Sequence, residues 1–145
     1  MGNECVNKEN LKMDKSNVKV EFSIYGDKFD PNIITNTMQI TPTRSWIKGE
    51  VIREGLIRKE TCWELATEYE ESLDIYEQIN KIRNLIKNKR NQIVKVKDTY
   101  NLECKFDVVI NIENNEIPAM YLDKEIIKFI YELGAEVDFD LYVYS

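Results

Sequence analysis

The chain has 145 residues, of which 43% are hydrophobic and 32% are charged, and its formal net charge is −6. These values indicate one folded domain and argue against a disordered chain. The negative charge argues against nucleic acid as a partner and favours a basic one. Histidine is absent, which removes the commonest general base and the commonest metal ligand. We therefore expect no enzymatic activity, no catalytic residue, no metal site and no cofactor.

The cysteines and the apolar runs bear on where the protein is located. Cys5, Cys62 and Cys104 are odd in number and widely spaced, so they fit neither a disulfide framework nor a zinc ribbon. The longest apolar run is far shorter than the ~20 residues that cross a bilayer, and no secretory leader opens the sequence. We expect a reduced, cytoplasmic protein with no membrane partner.

The N-terminal part of the sequence predicts an arm, a strand and a short helix. Residues 1–16 are polar and aperiodic, so we interpret them as a flexible N-terminal arm that precedes a single domain over residues 17–145. Apolar and polar residues then alternate over residues 17–26, which predicts a strand. Asp30 and Pro31 predict the start of a short helix, as its N-cap and first helical residue.

Residues 43–59 have no clear period and predict a long loop or an irregular hairpin. The segment leads into a short alternating strand around Trp63. Loops of this length are uncommon in compact domains and are often functional. Because Trp and Arg are over-represented at interaction hot spots, Arg44 and Trp46 favour a recognition loop. The alternative is that Trp46 packs at the edge of the core, and the sequence does not choose between them.

The second half of the chain has stronger periods. Ile75, Ile79, Ile82 and Ile86 form one apolar stripe of a helix. Beyond it, apolar residues at 93 and 96 either extend the helix or lead into the next strand.

The remaining pattern predicts an alternating strand over residues 102–113, a helix over residues 123–133 that Gly134 ends, and an alternating strand from Val137 to Tyr144. Clean alternation is typical of sheets with one solvated face. We predict an α+β fold, a two-layer sandwich. Its mainly antiparallel sheet has about four to five strands, with two to three helices on one face and ferredoxin-like βαβ halves.

The solvated face of this sheet is predicted to be acidic. Its charged residues are eight acids against two lysines, namely Glu21, Glu64, Glu68, Glu103, Asp107, Glu113, Asp138 and Asp140 against Lys19 and Lys105. Tyr25, Tyr142 and Tyr144 add rigid contact area. The alternative is an ordinary solvated face whose charges prevent aggregation.

Two further patterns have simpler explanations. Asp138 and Asp140 lie about 7 Å apart on one strand face, but no third ligand accompanies them, so metal or glycosidase chemistry is not favoured. The basic run between Lys81 and Lys97 matches the negative end of a helix, which explains it without nucleic acid.

Several short motifs in a fixed order resemble a bacterial family of domains of unknown function, number 4279. They are Asp30-Pro31, Thr41-Pro42-Thr43 followed by Trp46 and Lys48-Gly49, the run from Trp63 to Thr67, and the ending from Leu133 to Tyr144. The resemblance covers roughly residues 18 to 144. It implies a small cytosolic bacterial domain in a setting similar to that of immunity proteins beside polymorphic toxins, with no established activity.

Together these features predict a protein-binding domain, an immunity protein that neutralises a basic toxin effector through an acidic, Tyr-bearing surface. The predicted partner-binding residues are Arg44, Trp46, Glu64, Glu68, Asp138, Asp140, Tyr142 and Tyr144. The alternative is a regulatory domain in a phage-defence setting that binds a small molecule or associates with itself as a homodimer. In that case Arg44 and Lys48 would bind an anionic ligand in the 43–59 segment.

Overall fold

The structure, a computed structural model, describes residues 14–144. Most of the predicted arm and the last residue of the predicted domain lie outside this range. Within the range, Ser16 at the end of the predicted arm is buried. Its hydroxyl accepts a hydrogen bond from the Glu113 N–H over 2.9 Å and donates to the carbonyl of Glu116.

The described residues form strands and helices in mixed order. The strands are β1 (Asn17–Gly26), β2 (Arg44–Trp46), β3 (Val51–Arg53), β4 (Leu56–Ile57), β5 (Thr61–Ala66), β6 (Glu70–Glu71), β7 (Glu103–Ile112) and β8 (Glu136–Val143). The helices are α1 (Pro31–Met38), α2 (Tyr76–Ile86), α3 (Arg90–Tyr100) and α4 (Lys124–Glu132), and a short 3₁₀ turn (Lys87–Lys89) joins α2 to α3.

The main sheet has six strands, in the order β2-β5-β1-β7-β8, and β6 pairs with the beginning of β1. The central strand β1 runs antiparallel to both β5 and β7, whereas β7 and β8 are parallel. The predicted α+β class with a mainly antiparallel sheet is confirmed, and the sheet is larger than the four to five strands expected. The connection from β7 through α4 to β8 is a βαβ unit. The first half does not form the other predicted βαβ unit, because β1 and β5 are antiparallel neighbours and a βαβ unit joins parallel strands.

Local sequence signals set the helix ends. The Asp30 side chain accepts the Asn32 N–H over 3.0 Å at the start of α1. At the start of α4, the Asp123 side chain accepts the Ile126 N–H over 2.8 Å. These caps satisfy backbone donors that the first helical turn leaves unpaired. Residues 93 and 96, whose place the sequence left open, lie in α3.

The helices pack on one face of the sheet and close a single apolar core. Phe22 of β1 and Phe106 of β7 meet with ring centroids 4.9 Å apart. Trp63 of β5 is fully buried, and its indole N–H donates to the Thr35 hydroxyl of α1 over 2.9 Å. Burying each large side chain stabilises the fold by roughly 1.5–3 kcal/mol. The core therefore fixes which face of every long strand points away from the helices.

The 43–59 segment is the irregular hairpin that was one of the two expectations. Its first residues form β2, which pairs antiparallel with β5 at the edge of the sheet. Strands β3 and β4 then form a separate two-stranded hairpin, which turns at Gly55 with a φ of 76°. Glycine adopts such a positive φ more readily than any residue with a side chain.

Candidate functional site

The candidate site is the sheet face that points away from the helices, which we call the open face. The strand registers place these side chains on it, in strand order from β2 to β8: Arg44 and Trp46; Cys62, Glu64 and Ala66; Lys19, Glu21, Ser23 and Tyr25; Glu103, Lys105, Asp107, Val109 and Asn111; Glu136, Asp138, Asp140 and Tyr142. The open face is not uniformly solvated. Toward β2 it holds buried carboxylates, and toward β8 its acids are exposed.

A buried cluster of two carboxylates and one guanidinium lies toward the β2 edge. Glu21 and Glu64 are only 8% and 3% exposed. Arg44 Nη2 lies 3.2 Å from Glu21 Oε2, and its Nε donates to Glu64 Oε2 over 2.5 Å. The Ser23 hydroxyl donates to the other oxygen of Glu64 over 3.3 Å. Charged, short hydrogen bonds of this kind are about twice as strong as neutral ones.

Glu21 is the acid that this cluster perturbs most. Its pKa is raised from the ordinary value of 4.5 to about 7, first by burial and then by a hydrogen bond to Glu64 and the negative charge of Glu64. Lys19 and Arg44 act in the opposite direction. At neutral pH, Glu21 is therefore protonated for part of the time. Glu64, which the sequence placed on the solvated side, is instead shielded from solvent by its neighbours.

Trp46 makes cation–π contacts with two arginines. The Arg44 guanidinium carbon lies 5.0 Å from the Trp46 ring centroid, and that of Arg58, just after β4, lies 4.0 Å from it. Cation–π contacts at such exposed sites contribute roughly 0.5–1 kcal/mol each. The stack joins the small hairpin to the sheet edge, so Trp46 has a packing role whether or not it also contacts a partner.

The other end of the open face carries acids on neighbouring strands. Asp107 of β7 is directly opposite Asp138 of β8, and Val109 is opposite Asp140. Burial raises the pKa of Asp107, the neighbouring Lys105 lowers it, and the charges of Asp138 and Asp140 raise it again. The Lys105 ammonium lies 3.9 Å from Asp107 and 4.0 Å from Asp138.

Two tyrosines continue this row at the end of β8. Tyr142 and Tyr144 are 48% and 38% exposed and follow Asp138 and Asp140 on the same face. Beside Tyr142, the buried Asn111 amide donates to Asn17 over 2.8 Å. The four residues thus present acids and aromatic hydroxyls on a firmly hydrogen-bonded part of the sheet.

The predicted site residues therefore divide into two groups rather than one. Arg44, Trp46 and Glu64 come together at the β2 edge, whereas the β8 acids and tyrosines lie four strand spacings away, about 19 Å. Glu68 is exposed, but it lies between β5 and β6 and is not part of the sheet. Glu21, which the sequence did not select as a site residue, belongs to the first group. Alternation placed Glu21 on the acidic face, but its contact with Arg44 depends on strand pairing, which no sequence signal showed.

The described residues offer little support for nucleophilic or metal chemistry. Burial raises the pKa of Cys62 to about 12 and that of Cys104 to about 11, so neither thiol ionises at neutral pH. Within residues 14–144, no three potential metal-binding side chains of His, Cys, Asp or Glu are grouped closely enough to hold an ion. No helix in this range is long and apolar enough to cross a membrane.

Comparison with protein-family models identifies one family. The model described as "Domain of unknown function (DUF4279)" matches residues 16–144, nearly the whole chain. Comparison with curated proteins and with solved structures gives no match. The family match agrees with the resemblance drawn from the short motifs.

Proposed function

The chain belongs to this family of domains of unknown function, and starting from that membership we propose that it is a non-enzymatic protein-binding domain. Its partner is a basic protein. The domain acts as an immunity protein, which neutralises a toxin effector by covering the effector's active surface.

The exposed acids of β8 are the observation that carries this proposal. Asp138 and Asp140 share one strand face with Tyr142 and Tyr144, and Asp107 adds a third carboxylate beside Asp138. Exposed carboxylates attract a basic partner from a distance and raise its association rate. Tyrosine supplies contact area at low entropic cost. The surface therefore combines charge for attraction with rigid aromatic groups for contact.

The β2 group supports this surface in a different way. Glu64 is too buried to meet a partner directly, and Arg44 is engaged with two carboxylates of its own chain. We propose that these two residues hold Trp46 and the small hairpin in place at the rim of the interface. Glu68, exposed after β5, is accessible to a large partner.

A toxin that cleaves nucleic acid gives this arrangement a clear mechanism. Such an enzyme needs a basic groove for its polyanionic substrate. The acidic end of the open face would dock in that groove and exclude the substrate, without any chemistry on the part of the inhibitor. The same charge complementarity would make binding sensitive to salt.

The small-molecule alternative has less support. Lys48 pairs with Asp27, and Arg44 pairs with Glu21 and Glu64, so the two cations expected to bind an anionic ligand already contact carboxylates. The 43–59 segment that would supply the pocket is a short edge strand followed by a hairpin.

The proposal is tested by capture followed by a defined binding measurement. The tagged chain is used to capture proteins from the source lysate at low salt. The captured protein is then purified and titrated with the native chain and with the double variant D138N/D140N. We expect the variant to bind at least about tenfold more weakly at low salt, and the difference to shrink at high salt. The purified partner should also lose its toxic activity when the native chain is present.

The matched control removes two exposed acids from the helical side of the molecule. Glu77 of α2 and Asp98 of α3 are exposed there, and E77Q/D98N changes the net charge by the same amount as the test variant. Equal binding by the native chain and D138N/D140N would refute the acidic-surface model. Equal weakening by both double variants would assign the effect to net charge and refute the specific surface.

A further inference from the structure

We propose that two copies of this chain pair through β8, edge to edge and antiparallel, about a two-fold axis at Leu141. The pairing would join two six-stranded sheets into one continuous sheet. It depends on the edge of β8 and not on the partner-binding role proposed for the open face.

The first support is an open backbone edge. Among the strands of residues 14–144, β8 pairs with β7 alone, over an unbroken parallel register. The Tyr144 N–H donates to the Ile112 carbonyl over 2.9 Å. Because backbone groups alternate in direction along a strand, the even-numbered residues of β8 bond to β7 and the odd-numbered residues face outward. The outward row is therefore Val137, Phe139, Leu141 and Val143.

The second support is exposed apolar surface on the same strand. The side chains of Phe139, Leu141 and Val143 point to the helical face, opposite buried β7 residues, yet they are 41%, 50% and 70% exposed. Natural edge strands are commonly protected by charges, Pro or a bulge. β8 contains no Lys, Pro or bulge, and its acids Glu136, Asp138 and Asp140 all lie on the open face, away from these apolar side chains. A second copy would cover both the backbone row and these side chains.

The register follows from the hydrogen bonds and the charges together. Outward residues must face outward residues, so the axis passes through a residue and not between two. An axis at Asp140 places that acid opposite its own copy. An axis at Phe139 places Asp138 opposite Asp140 of the second copy, twice. Even-numbered pairs are the closely spaced, non-hydrogen-bonded kind, in which like charges are costly.

An axis at Leu141 removes every acid–acid pair. Asp140 then faces Tyr142 of the second copy, and Asp138 faces Tyr144, so each carboxylate meets a phenol. On the helical side, Phe139 faces Val143 and Leu141 faces itself. An axis at Tyr142 also avoids acid pairs, but it leaves Phe139 without a described residue opposite it. The strand sequence from residue 138 to residue 144 is thus complementary to itself in the antiparallel direction.

The charge of the chain predicts how this dimer responds to salt. Each copy carries a net charge of −6, so the copies repel one another at low ionic strength. Added salt screens the repulsion and should strengthen the dimer. Binding of a basic partner to the open face should respond in the opposite direction, so the two associations are separable in one experiment.

The oligomeric state is measured by analytical ultracentrifugation over about a hundredfold range of concentration, at low and high salt. We expect a dimer that forms more readily at high salt, and a monomer for Leu141→Lys, which places two like charges at the axis. Val51→Lys is the matched control, because Val51 is an exposed apolar strand residue in the separate β3–β4 hairpin. A native chain that stays monomeric at all concentrations, or a dimer that L141K leaves intact, would overturn the proposal.

Cysteine cross-linking tests the register without weakening the interface. Residues at the axis form a hydrogen-bonded pair with Cα atoms about 5.5 Å apart, which a disulfide spans. In a Cys5→Ser background, L141C should form a covalent dimer under mild oxidation, whereas F139C and D140C should not, because their copies are displaced along the strand. Cross-linking of D140C but not L141C would refute the axis at Leu141. Equal cross-linking of all three variants would indicate random collision and refute the interface.

Discussion

Arg44 Nε donates a hydrogen bond to Glu64 Oε2, with the two atoms 2.5 Å apart, so a residue on the short edge strand β2 neutralises a buried carboxylate directly opposite it on β5. The same guanidinium lies against Glu21 of β1. One side chain on the edge thus compensates two acids in the middle of the sheet. A buried charge that loses its partner is far more costly than an exposed one.

Replacement of Arg44 by Met should therefore lower the free energy of unfolding at neutral pH by about 2–4 kcal/mol. Urea denaturation measures the change. Arg58→Met is the matched control, since Arg58 stacks on the same Trp46 ring. It should cost well under half as much, because its loss leaves the two buried carboxylates compensated. Equal losses in the two variants would show that the stack, and not the carboxylates, accounts for the effect.

Glu21 should make the fold less stable as the solution becomes more alkaline. Its pKa is about 7 in the folded chain against an ordinary 4.5, so the folded state binds more protons between these values. Stability from this group is complete below pH 4.5 and is lost as pH rises through 7. Glu21→Gln retains the shape of the protonated acid. It should match the native chain at pH 4 and exceed it above pH 7, by on the order of 2 kcal/mol.

Chemical denaturation at several pH values tests this prediction. Glu103→Gln, which removes an exposed acid from the same face of β7, should leave the slope of stability against pH nearly unchanged. If the stability of Glu21→Gln changed with pH in parallel with that of the native chain, protonation of Glu21 would not contribute to the pH dependence of stability.

The hydrogen bond between Trp63 and Thr35 should contribute measurably to the free energy of unfolding. Thr35→Val keeps the shape of the side chain but leaves the buried indole N–H without its 2.9 Å acceptor. Such a loss costs about 1–3 kcal/mol. The exposed Thr37→Val change on the same helix provides the baseline. Thermal unfolding of both variants measures the difference, and equal melting temperatures would contradict the predicted role.

The two buried thiols should report on unfolding. Burial raises the pKa of Cys62 and of Cys104, and only the thiolate reacts with disulfide reagents. In a Cys5→Ser background, the native chain should be modified at least about a hundredfold more slowly than a free cysteine. The rate should rise with urea in step with the loss of structure. Rapid modification of either thiol in the native state would show that this part of the sheet opens locally.

The sequence predicted the positions of strands and helices better than it predicted which strands lie side by side. The alternating pattern predicted the observed bounds of β1. Asp123 and Gly134 predicted the two ends of α4. The irregular 43–59 segment resisted interpretation, because β2 is short and β3 and β4 pair only with each other. Periodicity assigns a residue to a face but does not name the strand beside it.

The candidate site shows the same division. Alternation correctly put Glu64 on the face away from the helices, but the expected exposure was wrong, because Arg44 and neighbouring side chains cover it. Glu68 was included because the alternation continued past the strand, which ends at Ala66. The Glu21 contact depends on the position of β1 between β5 and β7, and sequence spacing does not encode that order.

The central position of β1 also has a consequence for biosynthesis. This strand leaves the ribosome before any of its partners, since β5 begins at Thr61 and β7 does not end until Ile112. Until then its apolar face, which includes Phe22 and Ile24, has no sheet to join. Contacts between residues so distant in sequence form slowly, because a large loop must close first. The nascent chain therefore carries this strand without its neighbours until β5 and β7 have been made, and this is the stage at which chaperone binding would protect it most.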